Sequence, residues 1–185
     1  MSVKGSKTTA SFLDWDRALN AGRTLLKDKK SSVYGLYIIV SIHTGLRVSD
    51  VLELTYEQLR EDTVDVTETK TDKTKTVAIN KEIHKALNSF EGKSGKVFIG
   101  QKGFVLSKQQ INRKLKQIFS REAKKQNISS HSLRKTFGRR VWNLDNQSDR
   151  ALIMLSQMFN HTSTKNTRIY LGIQLEELNG IYLNL

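Results

Sequence analysis

Val64-Asp65-Val66-Thr67-Glu68-Thr69-Lys70-Thr71-Asp72-Lys73-Thr74-Lys75-Thr76-Val77-Ala78-Ile79 is the stretch that interrupts an otherwise helical chain. Val64 and Val66, then Val77 and Ile79, alternate with threonine and charged residues, the period that leaves one face of a strand apolar. Two such runs predict a β-hairpin, whose connection from about Lys70 to Lys75 carries three lysines. Val97, Phe98 and Ile99, between Gly95 and Gly100, predict a third short strand. On either side the period is helical. Phe12, Leu13, Trp15, Ala18, Leu19, Leu25 and Leu26 mark a first helix with Ser11 as its candidate cap, and Tyr34, Ile38, Ile39 and Ile42 mark a second after Ser31 and Ser32. A turn at Thr44-Gly45 leads past Arg47 to a short helix through Val48, Val51, Leu52 and Leu54. Ile111, Leu115, Ile118 and Phe119 predict a helix over 107–125, and further helices are predicted over 131–144 and 148–158. The expected fold is mainly α with a small antiparallel β-sheet, an α+β class. Residues 1–10, small, polar and basic, are expected to be disordered, and 11–185 to form one domain.

With 31 Lys+Arg against 18 Asp+Glu the formal net charge of the 185-residue chain is +13, which points to a polyanionic partner. The absence of cysteine excludes disulfide frameworks, thiolate metal sites and cysteine nucleophiles, and fits a reducing interior. The longest apolar run, 34–42, is far shorter than the roughly 20 residues of a membrane span, and the opening MSVKGSKTTA has no signal-peptide core. A soluble intracellular protein is expected. Any one lysine here reads as a solvated surface group, but the cations cluster. Lys108, Arg113, Lys114, Lys116, Arg121, Lys124 and Lys125 share one predicted helix, and Arg134, Lys135, Arg139 and Arg140 another. Such a surface gains affinity for duplex DNA by displacing its counterions. Lys108, Arg113, Lys116, Lys135 and Arg139 are the expected DNA contacts, with the helix around 108–116 suited to the major groove. An anionic membrane fits less well, because no helix pairs a basic face with a bulky aromatic one.

Three segments concentrate reactive side chains: Thr44-Gly45-Leu46-Arg47-Val48-Ser49-Asp50, His131-Ser132-Leu133-Arg134, and Met158-Phe159-Asn160-His161 followed by Thr167 and Tyr170. In order and approximate spacing, from about residue 12 to Tyr170, they resemble the catalytic signature of the tyrosine site-specific recombinases, the phage-integrase-like family. The resemblance implies the α+β catalytic-domain fold of that family. It also implies a DNA strand-transferase working through a 3′-phosphotyrosyl intermediate without metal or other cofactor. The catalytic residues it implies are Arg47, Lys70, His131, Arg134, His161 and Tyr170, with Asp50 at the acidic position of the first motif. Lys70 would be the general acid for the departing 5′-oxygen, with Lys73 and Lys75 as neighbouring rivals. His131 would assist proton transfer at Tyr170, and His161 would donate to the phosphate. The implied partners are double-stranded DNA and further copies of the chain, monomeric when free and a synaptic tetramer on DNA. The implied place is the nucleoid of a prokaryotic cytoplasm or the DNA of a phage or mobile element. Asn160 stands where the family has glycine, a substitution that the tolerance of asparagine for left-handed backbone accommodates. Set against most members, which carry a helical domain before the catalytic one, this chain is expected to be either an excised catalytic domain or a minimal variant.

The residue types suit that chemistry independently. Opening a phosphodiester without metal needs a nucleophile, stabilisation of extra charge on the phosphorus oxygens, and a proton for the leaving oxygen. Arginine stays charged and presents a planar fork of donors, and a tyrosine can form a phosphodiester that conserves the bond for rejoining. Three residues apart on a helix, His131 and Arg134 share a face while Leu133 and Phe137 turn to the core. Arg47 has Asp50 or Glu53 as candidate ion-pair partners on its own short helix. Tyr34, Tyr37, Tyr56 and Tyr182 read as core aromatics, His43 as structural and His84 as a surface residue. Residues 174–185 form an amphipathic tail through Leu175, Leu178, Ile181 and Leu183, to dock on a neighbouring subunit or on its own core. A type IB topoisomerase and a non-catalytic DNA-binding module that keeps the fold remain as alternatives.

Overall fold

The computed structural model describes residues 10–69 and 72–185. The expected start of residues 1–10 and the Lys70 assignment therefore fall largely or wholly outside the described residues. The first helix, α1 (Trp15–Leu26), is capped not by Ser11 but by Asp14, whose carboxylate accepts from Arg17 N at 2.8 Å. The Ser11 amide is already committed to Asn127 O, at 3.0 Å. Packed on α1 is α2 (Ser32–Thr44), apolar nearly all round and buried at nine positions, so it is the central helix of the core. It ends at Gly45, whose φ of +62° is left-handed. A side chain is doubly excluded there, because a Cβ would lie 2.3 Å from the Phe137 ring.

α3 (Val48–Leu52) follows at once, and then α4 (Tyr56–Arg60), a helix too short for periodicity to reveal but closed by a capping box between Thr55 and Gln58. The hairpin pairs β1 (Thr63–Thr67) with β2 (Thr74–Ala78) in antiparallel register, Val64 opposite Val77 and Val66 opposite Lys75. After α5 (Lys81–Leu87) the expected third strand does not join this sheet. Val97 donates to Leu54 O and Phe98 accepts from Leu106 N, so the backbone bonds of this segment go to two different loops. Its side chains still serve the core, with Val97 and Phe98 fully buried.

The helix expected over 107–125 is broken in two, α6 (Lys108–Ile118) and α7 (Ser120–Ala123). Between them Phe119 leaves helical geometry at φ −103°, ψ 44° and buries its ring completely. α8 (Ser130–Leu144), α9 (Asp149–Phe159), α10 (Thr164–Leu171) and α11 (Ile173–Leu183) complete the chain. Two apolar clusters result. The larger gathers α1 to α6 with the hairpin and Leu133, and the smaller joins Phe137 and Trp142 of α8 to Leu152, Leu155, Phe159, Leu171 and Ile173. α8 belongs to both, and Arg134 sits between its Leu133 and Phe137 contacts, where the clusters meet. Tyr37 and Tyr56 are core residues as expected, but Tyr182 is 76% exposed because α11 beyond Ile173 buries nothing. Among the described residues no helix is long and apolar enough to cross a membrane.

Candidate active site

Phe159 closes α9, and its carbonyl oxygen, one of the acceptors a helix terminus leaves over, is where the two motif arginines meet. Arg47 Nη2 donates to it at 3.2 Å and Arg134 Nη2 at 3.3 Å. A second bond from Arg134 Nη1 to Gly45 O, at 2.5 Å, ties α8 to the turn that delivers Arg47. The Arg134 guanidinium also lies over the Phe159 ring, 4.3 Å from its centre, and the residue is only 4% exposed. Two guanidinium groups thus converge although their residues are far apart in sequence.

Asn160 follows Phe159 with φ +52°, ψ 45°, so asparagine does hold the left-handed turn that glycine would. The turn directs His161 back toward the arginines. Its Nδ1 lies 2.9 Å from Thr167 Oγ1, on α10, which fixes the ring. Tyr170 is one helical turn further on, its ring edge-on to His161 at 5.2 Å and to Phe159 at 5.6 Å. Lys135 Nζ stands over the tyrosine ring at 5.0 Å. α10 can come this close because α8 has Gly138 beneath it, where a Cβ would be 2.6 Å from Leu171 Cδ2. The buried Tyr170 hydroxyl makes no hydrogen bond of good geometry among the described residues. Burial raises its pKa above the usual phenol value, opposed by the neighbouring charge of Arg134.

His131 lies at the start of α8, at the surface side of the same group. Desolvation first, then the charges of Lys108, Arg134, Lys135 and Arg47, hold its pKa below the ordinary imidazole value, and His161 is lowered by desolvation and the two arginines. Both imidazoles are therefore neutral at neutral pH, the form able to accept a proton.

Asp50 is not the partner of Arg47. Its buried carboxylate accepts from Ser49 Oγ and, at 3.2 Å, from both the amide and the hydroxyl of Thr69, anchoring the end of the hairpin. Glu53 pairs with Lys96. The carboxylate that Arg47 meets is Glu68, which is wholly buried and also bonds Lys75 Nζ at 2.7 Å and Asn160 Nδ2 at 2.6 Å. Sequence reasoning passed over Glu68, yet a signal was there. Val64 and Val66 put even-numbered positions on the inward face, and Glu68 continues that phase with a charge.

Arg47, Arg134, His161 and Tyr170 are thus gathered around Phe159, His131 lies within electrostatic reach of the two arginines, and the sixth, Lys70, lies outside the described residues. Of the expected DNA contacts, Lys108, Arg113 and Lys116 are exposed on α6. Lys135 is not a surface contact, being 5% exposed beneath Tyr170. Arg139 pairs with Glu176 at 2.6 Å and packs on Phe12 and Trp142. A broad cleft of about 1380 Å³ between the start of α2, the 93–106 loop and α6 contains none of the five that are described.

The sequence profile of the phage integrase family matches residues 14–177. No curated protein matches the chain in sequence. Among solved structures it is similar to the XerA recombinase, with 22% identity, TM-score 0.68, and coverage of 95% of this chain and 65% of that one. It is similar also to the XerH site-specific recombinase in a post-cleavage complex with palindromic difH substrate, with 20% identity, TM-score 0.70, and coverage of 98% and 56%. A lambda integrase dimer bound to a COC′ core site matches with 16% identity, TM-score 0.64, and coverage of 92% and 62%. The chain therefore spans less than two thirds of each of these three proteins, and the likeness is one of fold.

Proposed function

Because the chain belongs to the phage integrase family, we propose that it is a site-specific recombinase that cuts and rejoins duplex DNA through a covalent link at Tyr170. The observation that carries this reading is the meeting of Arg47 and Arg134 at one carbonyl oxygen beside a half-buried tyrosine whose hydroxyl is buried. Paired guanidinium groups held that way present donors to the two nonbridging oxygens of a phosphate, whose charge grows in the transition state. Tyr170 Oη attacks phosphorus and gives up its proton to a neutral imidazole, His131 being the assigned base. The bond to the 5′-oxygen breaks, and that oxygen takes a proton from the general acid, assigned to Lys70 with Lys73 and Lys75 as rivals. A 3′-phosphotyrosyl link and a free 5′-hydroxyl result. Attack by that hydroxyl, or by one from a second duplex, reverses every bond and proton change. His161 Nδ1 is held by Thr167 Oγ1, which leaves Nε2 for the hydrogen bond to the phosphate.

The exposed cations of α6 and the net charge of +13 support docking on duplex DNA. The XerH and lambda integrase structures hold DNA, the latter as a dimer, and we extend both properties to this chain, with synapsis of four copies on DNA. Leu175, Leu178, Ile181 and Leu183, between 46% and 86% exposed, leave the apolar face of the tail uncovered among the described residues and support self-association. Such an enzyme works at prokaryotic, phage or mobile-element DNA, and residues 11–185 would be its catalytic domain.

The test is covalent capture. A pool of nicked duplexes of randomised sequence, which traps cleaved ends, should yield a protein–DNA adduct on a denaturing gel, and Tyr170→Phe should yield none. No adduct from the unaltered chain, or an adduct that survives Tyr170→Phe, overturns the proposal.

A further inference from the structure

Glu68 holds three separate parts of the site at once. Its carboxylate meets Arg47 from the α2–α3 turn, Lys75 from β2 at 2.7 Å, and Asn160 from the turn before His161 at 2.6 Å. It has no exposed surface. A buried carboxylate costs several kcal/mol unless cations and donors compensate it, and here two cations and an amide do so. Lys75 reaches the same turn by a second route, donating to Met158 O at 3.1 Å. The hairpin is therefore fastened to the end of α9 through the Glu68 carboxylate and the Lys75–Met158 bond, and Arg47 is aimed by that same carboxylate and by Phe159 O.

We propose that Glu68 is a positioning residue for strand cleavage, fixing the Arg47 guanidinium against the phosphate site and holding the hairpin to the Asn160–His161 turn. This rests on the recombinase reading above. One guanidinium nitrogen of Arg47 is engaged by Glu68 and the other by Phe159 O, so the planar fork has one orientation rather than several. Without the carboxylate, Arg47 and Lys75 become two uncompensated neighbouring cations that repel each other and move apart. The loss appears in the chemical step more than in docking, because DNA affinity comes from many phosphate contacts across the basic surface.

The experiment uses the full chain and the trapping duplexes, with single-turnover cleavage and noncovalent binding measured separately. Glu68→Gln keeps the volume and one acceptor but removes the charge. It should slow cleavage at saturating protein at least tenfold while changing the binding midpoint less than threefold. Glu68→Asp keeps the buried charge balance and so the fold, but withdraws the carboxylate by one methylene. It should slow cleavage several-fold, with the same separation of rate from binding. Combined with Arg47→Ala, Glu68→Gln should add less than a twofold further loss, because the two act as one unit. Variants that cleave at or above the unaltered rate, losses of rate and binding in parallel, or fully additive losses with Arg47→Ala overturn the inference. If Glu68→Gln does not fold, Glu68→Asp decides alone. Absence of any adduct from the unaltered chain would instead count against the recombinase reading.

Discussion

A guanidinium 4% exposed can remain charged only if its donors are met, and Arg134 meets them with backbone carbonyls rather than carboxylates. That choice leaves its positive charge unneutralised for a phosphate. Arg134→Ala should therefore lower single-turnover cleavage about 100- to 1000-fold, the usual cost of an electrostatic donor, while a filter-binding midpoint for DNA moves far less. Gly45→Ala acts through packing. The left-handed φ and the 2.3 Å approach to Phe137 should together cost about 2 kcal/mol or more of stability, read as a lower urea midpoint. These residues were legible in the sequence because their chemistry is local: a turn glycine, a histidine three before an arginine, a tyrosine after a polar turn. The partnership of Arg47 was not. Asp50 and Glu53 are its neighbours in sequence, but Glu68 is its neighbour in space, and only the strand's inward phase hinted at it.

At the scale of elements, the site depends on how closely α10 lies against α8. Gly138 permits that approach, since its missing Cβ would collide with Leu171 at 2.6 Å and crowd Phe159 at 3.1 Å. Gly138→Val should push α10 outward, lowering the urea midpoint by the equivalent of about 1–3 kcal/mol and slowing cleavage, because Tyr170 rides on the displaced helix. The hairpin and the long helices were readable from their periods, since each buries one continuous face. The failures share a cause. Val97–Ile99 has the apolar texture of a strand, but its backbone partners belong to two different loops, and α6 stops where Phe119 turns into the core. Both depend on contacts distant in sequence, which no window of periodicity contains.

For the molecule as a whole, charge and protonation set two further expectations. With a net charge of +13, duplex affinity should fall steeply and linearly on a log–log plot as salt rises. A salt-independent midpoint would show that the basic surface is not the docking face. His43, His131 and His161 all have pKa values lowered from 6.5, with desolvation the largest cause in each. Below about pH 6.5 the unfolded chain therefore binds more protons than the folded one, and stability is lost as pH falls through that value toward the depressed folded-state values. A melting temperature lower at pH 5.5 than at pH 7.5 is expected, and an unchanged or higher one would contradict the lowered pKa values of these rings. The +13 charge was plain from composition, but which cations face solvent was not, as buried Lys135 and ion-paired Arg139 show.

The central claim is that Tyr170, half-buried with its hydroxyl turned inward, and not an exposed phenol, takes the phosphate. Trypsin cleavage after Arg168 leaves residues 169–185 as one peptide that carries both Tyr170 and the 76%-exposed Tyr182. Fragmentation of that peptide from nuclease-trimmed adduct should place the remaining nucleotide on Tyr170. A nucleotide on Tyr182, or on any residue outside this peptide, would contradict the account.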